Sequence, residues 1–145
     1  MATVAPITPP EEPDEEPNRP ARSMDWDGMH FRSVSEYRLA RAFDQHGVWV
    51  IPNARGRLGF GPNRRTLEVD QLINIDGVWV ALEVDGPRWH PASRAVEDNR
   101  RQRLFMIHGV SVMRFDSDEA YETPDEVVAA VVAHAEAMRR AWGGR

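Results

Sequence analysis

The sequence predicts an α+β fold in which helices flank a mixed β-sheet. Three observations carry this prediction: a hairpin pattern centred on Asp76-Gly77, two helix-capping boxes, and an alternating strand-like segment that follows a helical one. The predicted elements follow one another in the order α-β-β-β-α-β-α. Because the last strand comes after a helical crossover, we expect it to run parallel to one strand of the hairpin.

The segment 68–86 reads EVDQLINIDGVWVALEVDG and predicts two antiparallel strands. Asp76-Gly77 suits a two-residue type I′ turn, in which both central residues have φ > 0. This turn pairs Ile75 with Val78, and directly paired residues share one face of a sheet. The residues predicted to form the core face are Val69, Gln71, Ile73, Ile75, Val78, Val80, Leu82 and Val84.

Four acidic residues fall on the opposite face, at the open end of this hairpin. The same register places Asp70 opposite Glu83 and Glu68 opposite Asp85, and like charges that face each other repel. A bound cation would offset the repulsion, because hard divalent ions such as Mg²⁺ take carboxylate oxygens as ligands. A solvated edge that simply tolerates its charges explains the pattern equally well.

The segment before the hairpin predicts a helix, a short strand and a loop. Ser33 and Glu36 form a capping-box pattern, and the helix that they open ends before Gly47. The apolar run 48–51 predicts a strand that ends at Pro52. The glycine- and arginine-rich segment that follows, up to the hairpin, predicts a loop.

The segment after the hairpin predicts a helix, a strand and a final helix. The first of these helices covers about 93–108, and the alternating segment 110–115 predicts the strand. Thr123 and Glu126 form a second capping box, with Pro124 at the favoured first helical position. The final helix should run to about residue 142.

Composition divides the chain into a tail and one domain. Residues 1–22 hold six prolines, five acids and two arginines, which predicts a disordered acidic tail. Residues 23–145 then form a single domain with a net charge of −2, too close to neutral for an overall basic field. The sequence has no cysteine, no signal-peptide pattern and no membrane-length apolar run, so we expect a cytoplasmic protein. All 18 basic residues are arginine.

The order of elements and several short motifs resemble the restriction-endonuclease-like PD-(D/E)XK nucleases over roughly residues 30–135. Those enzymes carry an Asp on the second core strand and an acid-x-Lys motif on the third, and Asp70 and Glu83-Val-Asp85 occupy these places. The chain is similar in particular to the branch related to the very-short-patch mismatch repair endonuclease. The residues that match this branch are Glu83, Asp85, Gly86, His90, Asp98, Arg101, Gly109, Val112, Arg114 and Phe115.

Two departures from the family pattern are visible. Asp85 stands where the superfamily has its usual lysine, and the chain has no lysine elsewhere. The branch itself often carries Asp at this position. The mismatch repair enzyme has a structural zinc site, which a chain without cysteine is not expected to share. The resemblance is therefore not taken to imply mismatch recognition.

The resemblance implies a metal-dependent endonuclease that acts on DNA rather than RNA, with Mg²⁺ or Mn²⁺ as the cofactor. It implies Asp70, Glu83 and Asp85 as metal ligands and catalytic residues, with Glu36 of the first helix as a further ligand. His90 would transfer a proton near neutral pH. Arg101, or alternatively Arg88 in the loop after the hairpin, would bind a phosphate in a bidentate manner.

Several roles stay open between a functional and an ordinary interpretation. Glu36 is also a capping residue, His90 also a plain loop histidine, and Asp98 with Arg101 also an ordinary helical ion pair. The arginines of the predicted loop either bind the phosphates of a nucleic-acid backbone or lie exposed to solvent on a mobile hairpin end. The arginines predicted to contact nucleic acid are Arg55, Arg57, Arg64, Arg65 and, after the hairpin, Arg88.

Two other functions stay open beside an active endonuclease. One is a catalytically silent domain of the same fold that binds nucleic acid or a protein partner. The other is a nuclease subunit whose specificity comes from a protein partner. Whether the chain acts as a monomer or a homodimer is also open.

Overall fold

The computed structural model describes residues 22–86 and 92–143, with side chains described from residue 95 onward in the second range. The predicted tail, apart from Arg22, and the predicted residues Arg88 and His90 lie outside the described residues.

The described part folds as α+β, with a mixed four-stranded sheet between helices and a separate two-stranded hairpin. The elements are β1 (Met24–Trp26), β2 (Met29–Phe31), α1 (Val34–Gln45), β3 (Trp49–Leu58), β4 (Arg65–Ile75), β5 (Val78–Asp85), α2 (Ala92–Met106), β6 (Ser111–Asp116), α3 (Ser117–Glu122) and α4 (Pro124–Gly143). The order of strands in the larger sheet is β3-β4-β5-β6. Strand β4 is antiparallel to both β3 and β5, and β6 runs parallel to β5, as the crossover predicted.

The predicted Asp-Gly turn is confirmed. Asp76 and Gly77 have φ values of 49° and 89°, and Ile75 pairs with Val78. The pairing of β4 with β5 then continues in the predicted register as far as Gln71 and Leu82, where it ends.

Helices cover both faces of the sheet. Leu39 of α1 and Val131 of α4 pack on Ile73, Val80 and Leu82, which lie on the predicted core face. On the opposite face, Phe105 of α2 packs on Ala81.

The predicted position of Val69 is wrong. Val69 packs with Ala81 and Phe105, on the face that carries α2. Val69 still pairs with Ala54 of β3, but the described ladder has no pair between Asn53 and Asp70, and Asn53 has φ of 51°, so the alternation of faces is interrupted between Gln71 and Val69.

The prediction of a loop before the hairpin is also wrong for the first half of that segment. Strand β3 does not end at Pro52 but continues to Leu58, and Pro52 itself lies opposite Gln71. A proline is tolerated here because β3 is an edge strand, whose outer N–H groups need no neighbouring strand. The connection between β3 and β4 therefore shrinks to residues 59–64.

The Ser33 capping box and the start of α4 at Pro124 are confirmed, whereas the side-chain hydrogen bond described for Thr123 goes to the Glu119 carbonyl at 3.0 Å. Ser33 is the N-cap of α1, its Oγ accepts from the Glu36 N–H at 3.1 Å, and Gly47 follows the helix with φ of 69°. The sequence interpretation missed two small elements, the β1–β2 hairpin and α3. An Asp27-Gly28 turn with φ values of 47° and 79° was the available signal for the hairpin.

None of the helices in the two described ranges has both the length and the apolar character needed to cross a membrane.

Candidate functional site

Three carboxyl groups meet at the open end of the β4–β5 hairpin. Asp70 extends from β4 just beyond the end of the regular pairing, and its Oδ2 accepts a hydrogen bond from the Val84 N–H at 2.8 Å. The Asp70 carboxyl also lies within hydrogen-bonding reach of the carboxyls of Glu36 and Glu83. We call Glu36, Asp70 and Glu83 the carboxylate row. Glu36 and Glu83 are buried, with 6% and 9% of their surfaces exposed.

The start of α1 brings Glu36 to the sheet. The Ser33 Oγ donates to Glu36 Oε2 at 2.8 Å, so the capping interaction also orients the carboxylate. The Gln71 side chain, which is fully buried, donates from Nε2 to the Glu36 carbonyl at 2.6 Å. Because Gln71 follows Asp70 on β4, this bond holds the first turn of α1 beside Asp70.

Burial makes the charged form of all three carboxyls unfavourable. Burial, opposed by the hydrogen bond from Val84 and reinforced by the negative charge of Glu36, raises the pKa of Asp70 to about 6. Burial likewise raises the pKa of Glu36, which the Ser33 hydroxyl and the Arg32 charge partly oppose. The pKa of Glu83 is raised by burial and by Asp70, and lowered by Arg101.

Arg101 of α2 is the positive partner of the row. Its Nε and Nη2 both donate to Glu83 Oε1, at 3.1 and 2.7 Å, and Nη2 also donates to the Glu68 carbonyl. Asp98, three residues earlier on α2, contacts Arg114 at 2.6 Å. Arg101 and Asp98 thus reach different strands, β5 and β6 respectively.

Asp85 lies at the same end of β5, in register with Asp116 of β6. The hydrogen bond that Arg114 donates to Asp98 raises the pKa of Arg114, and the charges of Asp85 and Glu83 also raise it. Asp85 therefore lies in the electrostatic field of Arg114, and Arg114 lines a groove of about 220 Å³ between α2 and β6. The polar residues that line the groove are Asp98, Asn99, Arg101, Gln102 and Arg114.

The carboxylate row fits a hard divalent cation by the chemistry of its donors, since all of them are carboxylate oxygens. Its present arrangement is set by protein partners: Ser33 engages Glu36, Val84 engages Asp70, and Arg101 engages Glu83. In the described ranges, no three His, Asp or Glu side chains already stand in the arrangement of a metal site. A bound cation would have to displace protons from the carboxylate row or replace the hydrogen bonds from Arg101 to Glu83.

Glu68 lies apart from the row. Arg32 donates to its Oε1 at 2.6 Å, and Arg55 donates to its Oε2 at 2.7 Å. The hydrogen bond from Arg55 lowers the pKa of Glu68. The predicted pairing of Glu68 with Asp85 is absent from the described ladder, which ends earlier.

The arginines predicted to contact nucleic acid do not share one loop. Arg55 and Arg57 lie on β3, whereas Arg64 and Arg65 adjoin the start of β4. Arg57 donates to Thr66 Oγ1 at 3.1 Å, Arg64 donates to the Gly59 carbonyl at 3.3 Å, and Arg65 forms an ion pair with Glu97 at 2.8 Å.

Gln71 and Arg32 were missed as supporting residues. A glutamine at a position predicted to face the core was the available signal for Gln71, because a fully buried amide needs a polar partner. Arg32 precedes the N-cap of α1, and nothing in its local sequence indicates the Glu68 partner.

No protein-family model matches the sequence, and no curated protein matches it. Among solved structures, one titled "Crystal Structure of Protein of Unknown Function AF1548" matches with a TM-score of 0.41 and 17% sequence identity. The match covers 68% of this chain and 55% of that one, so the chain spans about half the length of this neighbour.

Proposed function

We propose that the protein is a divalent-metal-dependent endonuclease that hydrolyses phosphodiester bonds in DNA. One observation carries the proposal: three buried or half-buried carboxyls with raised pKa values share the open end of a hairpin, beside an arginine. Such an arrangement costs stability, and perturbed groups of this kind concentrate at functional sites. The motif order given above supports a nuclease over other metal-dependent hydrolases.

The ligands in this proposal are Asp70 and Glu83, with Glu36 and Asp85 completing the set. A bound Mg²⁺ or Mn²⁺ would polarise the phosphate and acidify a bound water. Asp70 is held in place by the Val84 N–H, and Glu83 by Arg101. Because the pKa of Asp70 is raised to about 6 and those of Glu36 and Glu83 are also raised, we expect cation binding to release protons.

Arg101 has a role that does not need a lysine in the family's usual place. Its guanidinium orients Glu83 and lines the groove that also holds Arg114. A phosphate in this groove would meet two guanidinium groups, which bind phosphate oxygens in a bidentate manner. Proton transfer by His90 and a contact from Arg88 remain predictions from the sequence.

The proposal is tested by incubating supercoiled plasmid, linear duplex and single-stranded DNA with the full chain in Mg²⁺, Mn²⁺ or EDTA. We expect cleavage that needs metal and falls at least about 100-fold in Glu83→Gln, because lost charge stabilisation at such sites has effects of this size. Glu68→Gln is the matched control, since Glu68 lies on the same hairpin end but outside the row. Equal activity of Glu83→Gln and Glu68→Gln would contradict the site.

A catalytically silent nuclease-fold domain is the second candidate. It is favoured by the two hydrogen bonds from Arg101 to Glu83, which already neutralise one of the ligands. Calorimetric titration of Mg²⁺ separates the two functions. Binding with proton release but without cleavage would indicate a nuclease that needs a protein partner, whereas no binding would indicate a silent domain.

A further inference from the structure

The turn between β3 and β4 carries an exposed aromatic ring. Phe60 is 66% exposed and packs into none of the described core clusters. Gly59 and Gly61 flank it, with φ values of 93° and 57°. We call residues 59–64 the aromatic turn. Asp70 lies five residue steps beyond Arg65 on β4, so the turn lies about 17 Å along the strand from the carboxylate row.

The aromatic turn is fixed against the end of α2. The Gly59 N–H donates to His108 Nε2 at 3.0 Å. A Cβ at Gly59 would lie 2.8 Å from the Asn63 carbonyl oxygen and 3.0 Å from a Leu104 methyl, so the backbone fits closely here. The Phe60 ring stacks at a tilt on His108, with centroids 5.2 Å apart. A ring held in this way loses little conformational freedom when a ligand binds it.

Arginines flank the ring on the strand side. Arg64 belongs to the turn, and Arg57 lies two positions before it on β3. Both are exposed, and the hydrogen bonds described for them go to neutral oxygens, of Gly59 and Thr66. Their charges are therefore not offset by these contacts.

Arginines also flank the ring on the helix side. Arg100 lies one turn before Leu104 on α2, hence on the face that meets the aromatic turn. Arg103 lies in the same turn of α2, and both arginines are exposed. Glu97, near the start of α2, forms an ion pair with Arg65 at 2.8 Å, so that the charge of Glu97 is already neutralised.

We propose that the aromatic turn, together with Arg100 and Arg103, binds single-stranded DNA. Phe60 would stack on an unpaired base, and the arginines would contact phosphates on either side. A base inside a duplex has both faces covered, so a ring at a hairpin tip selects a single strand or an unpaired end. The inference rests on the proposed function in one respect: the strand bound here would extend along β4 to the carboxylate row.

The test measures binding by fluorescence anisotropy, in EDTA so that no cleavage occurs. The probes are a labelled oligothymidylate and a duplex of equal length. We expect Phe60→Ala to weaken single-strand binding about 5- to 100-fold, because base–aromatic stacking contributes about 1–3 kcal/mol per base. Phe60→Trp should retain it, and duplex binding should change less than about twofold in either variant.

Trp49→Ala is the matched control. Trp49 is 61% exposed at the opposite end of β3, so this variant also removes an exposed aromatic side chain. It should leave single-strand binding unchanged. Equal losses in Trp49→Ala and Phe60→Ala, or no loss in Phe60→Ala, would overturn the proposal. Tighter binding to duplex than to single strand, or to oligouridylate than to oligothymidylate, would overturn the assignment to single-stranded DNA.

The phosphate contacts have a separate readout. Each contact to a single strand contributes about 0.7 to the slope of log affinity against log salt concentration. Arg100→Gln with Arg103→Gln should therefore lower that slope by about 1.4. An unchanged slope would remove α2 from the binding surface.

Failure of this inference is distinguishable from failure of the proposed function. If DNA is not cleaved but the Phe60 variants behave as expected, the endonuclease proposal fails and the binding surface stands. If metal-dependent cleavage occurs while Phe60→Ala binds single strands normally, the endonuclease proposal stands and the binding surface fails.

Discussion

At its turn, the β4–β5 hairpin pairs Ile75 with Val78 in a regular ladder, whereas at its open end the ladder stops at Gln71 and Leu82. The turn end buries Val78 and exposes its acid, Asp76, whose side chain is 70% exposed beside Arg139. Both features favour folding.

The open end of the hairpin, in contrast, has features that oppose folding. It buries Glu83 and half-buries Asp70, and burial raises the pKa of each. Repulsion and desolvation both work against folding at this end. A single hairpin thus holds, a few residues apart, one end that favours folding and one end that opposes it. Four substitutions test the contrast.

The largest effect on stability should come from the apolar part of the hairpin. Leu82→Ala removes a fully buried side chain from the core between β5 and the helices α1 and α4. We expect the free energy of unfolding to fall by about 2–5 kcal/mol, measured by urea denaturation. A loss no larger than that of an exposed substitution such as Val96→Ala would contradict the assigned core.

The next effect should come from the counter-charge of the row. Arg101→Met leaves Glu83 buried without its cation, so we expect a loss of about 2–4 kcal/mol at pH 7.5. The loss should shrink at pH 5, where Glu83 takes up a proton more readily. Arg103→Met, on the exposed face of the same helix, should leave unfolding unchanged. Equal effects of the two variants would contradict the role of Arg101.

Asp70→Asn should stabilise the protein while it abolishes metal-dependent cleavage. The folded-state pKa of about 6 exceeds the usual value near 3.8, so the folded state binds more protons between these values. Stability therefore falls as pH rises from about 4 to 7. Asn cannot ionise, and its Oδ can still accept from Val84. We expect a gain of about 1–3 kcal/mol at pH 7.5.

The same substitution at the other end of the hairpin is the control for this prediction. Asp76→Asn removes an exposed charge in the turn, where Asn also tolerates positive φ. Its free energy of unfolding should keep the pH profile of the unmodified protein, whereas Asp70→Asn should flatten that profile between pH 4 and 7. A flattened profile in both variants would place the titrating group elsewhere.

The smallest effect should come from the turn itself. Gly77 has φ of 89°, a conformation that costs an L-residue about 1–2 kcal/mol. Gly77→Ala should lower the free energy of unfolding by this amount without changing DNA cleavage. Thermal unfolding with the plasmid assay checks both parts. A loss of cleavage would show that the register of the open end depends on the turn.

Much of the fold could be predicted from the sequence because its signals are local. The Asp76-Gly77 turn, the Ser33 N-cap and the parallel placement of β6 all depend on a few neighbouring residues or on chain connectivity. The predicted end of strand β3 came too early because a proline such as Pro52 usually ends a strand. Only the sheet order shows that β3 is an edge strand, where a missing N–H is tolerated.

The candidate site was predicted only in part. Turn geometry and side-chain alternation were enough to gather acidic residues at the open end of the hairpin. They predicted that Glu68 would join Asp70 in one acidic group. In the structure, Glu68 instead forms ion pairs with Arg32 and Arg55. The carboxyl that lies beside Asp70 is that of Glu36, from α1. Backbone preferences act over a few residues, so they can be predicted from short stretches of sequence. Which distant charges meet depends on how α1 and α2 dock on the sheet, and packing of the whole core decides that.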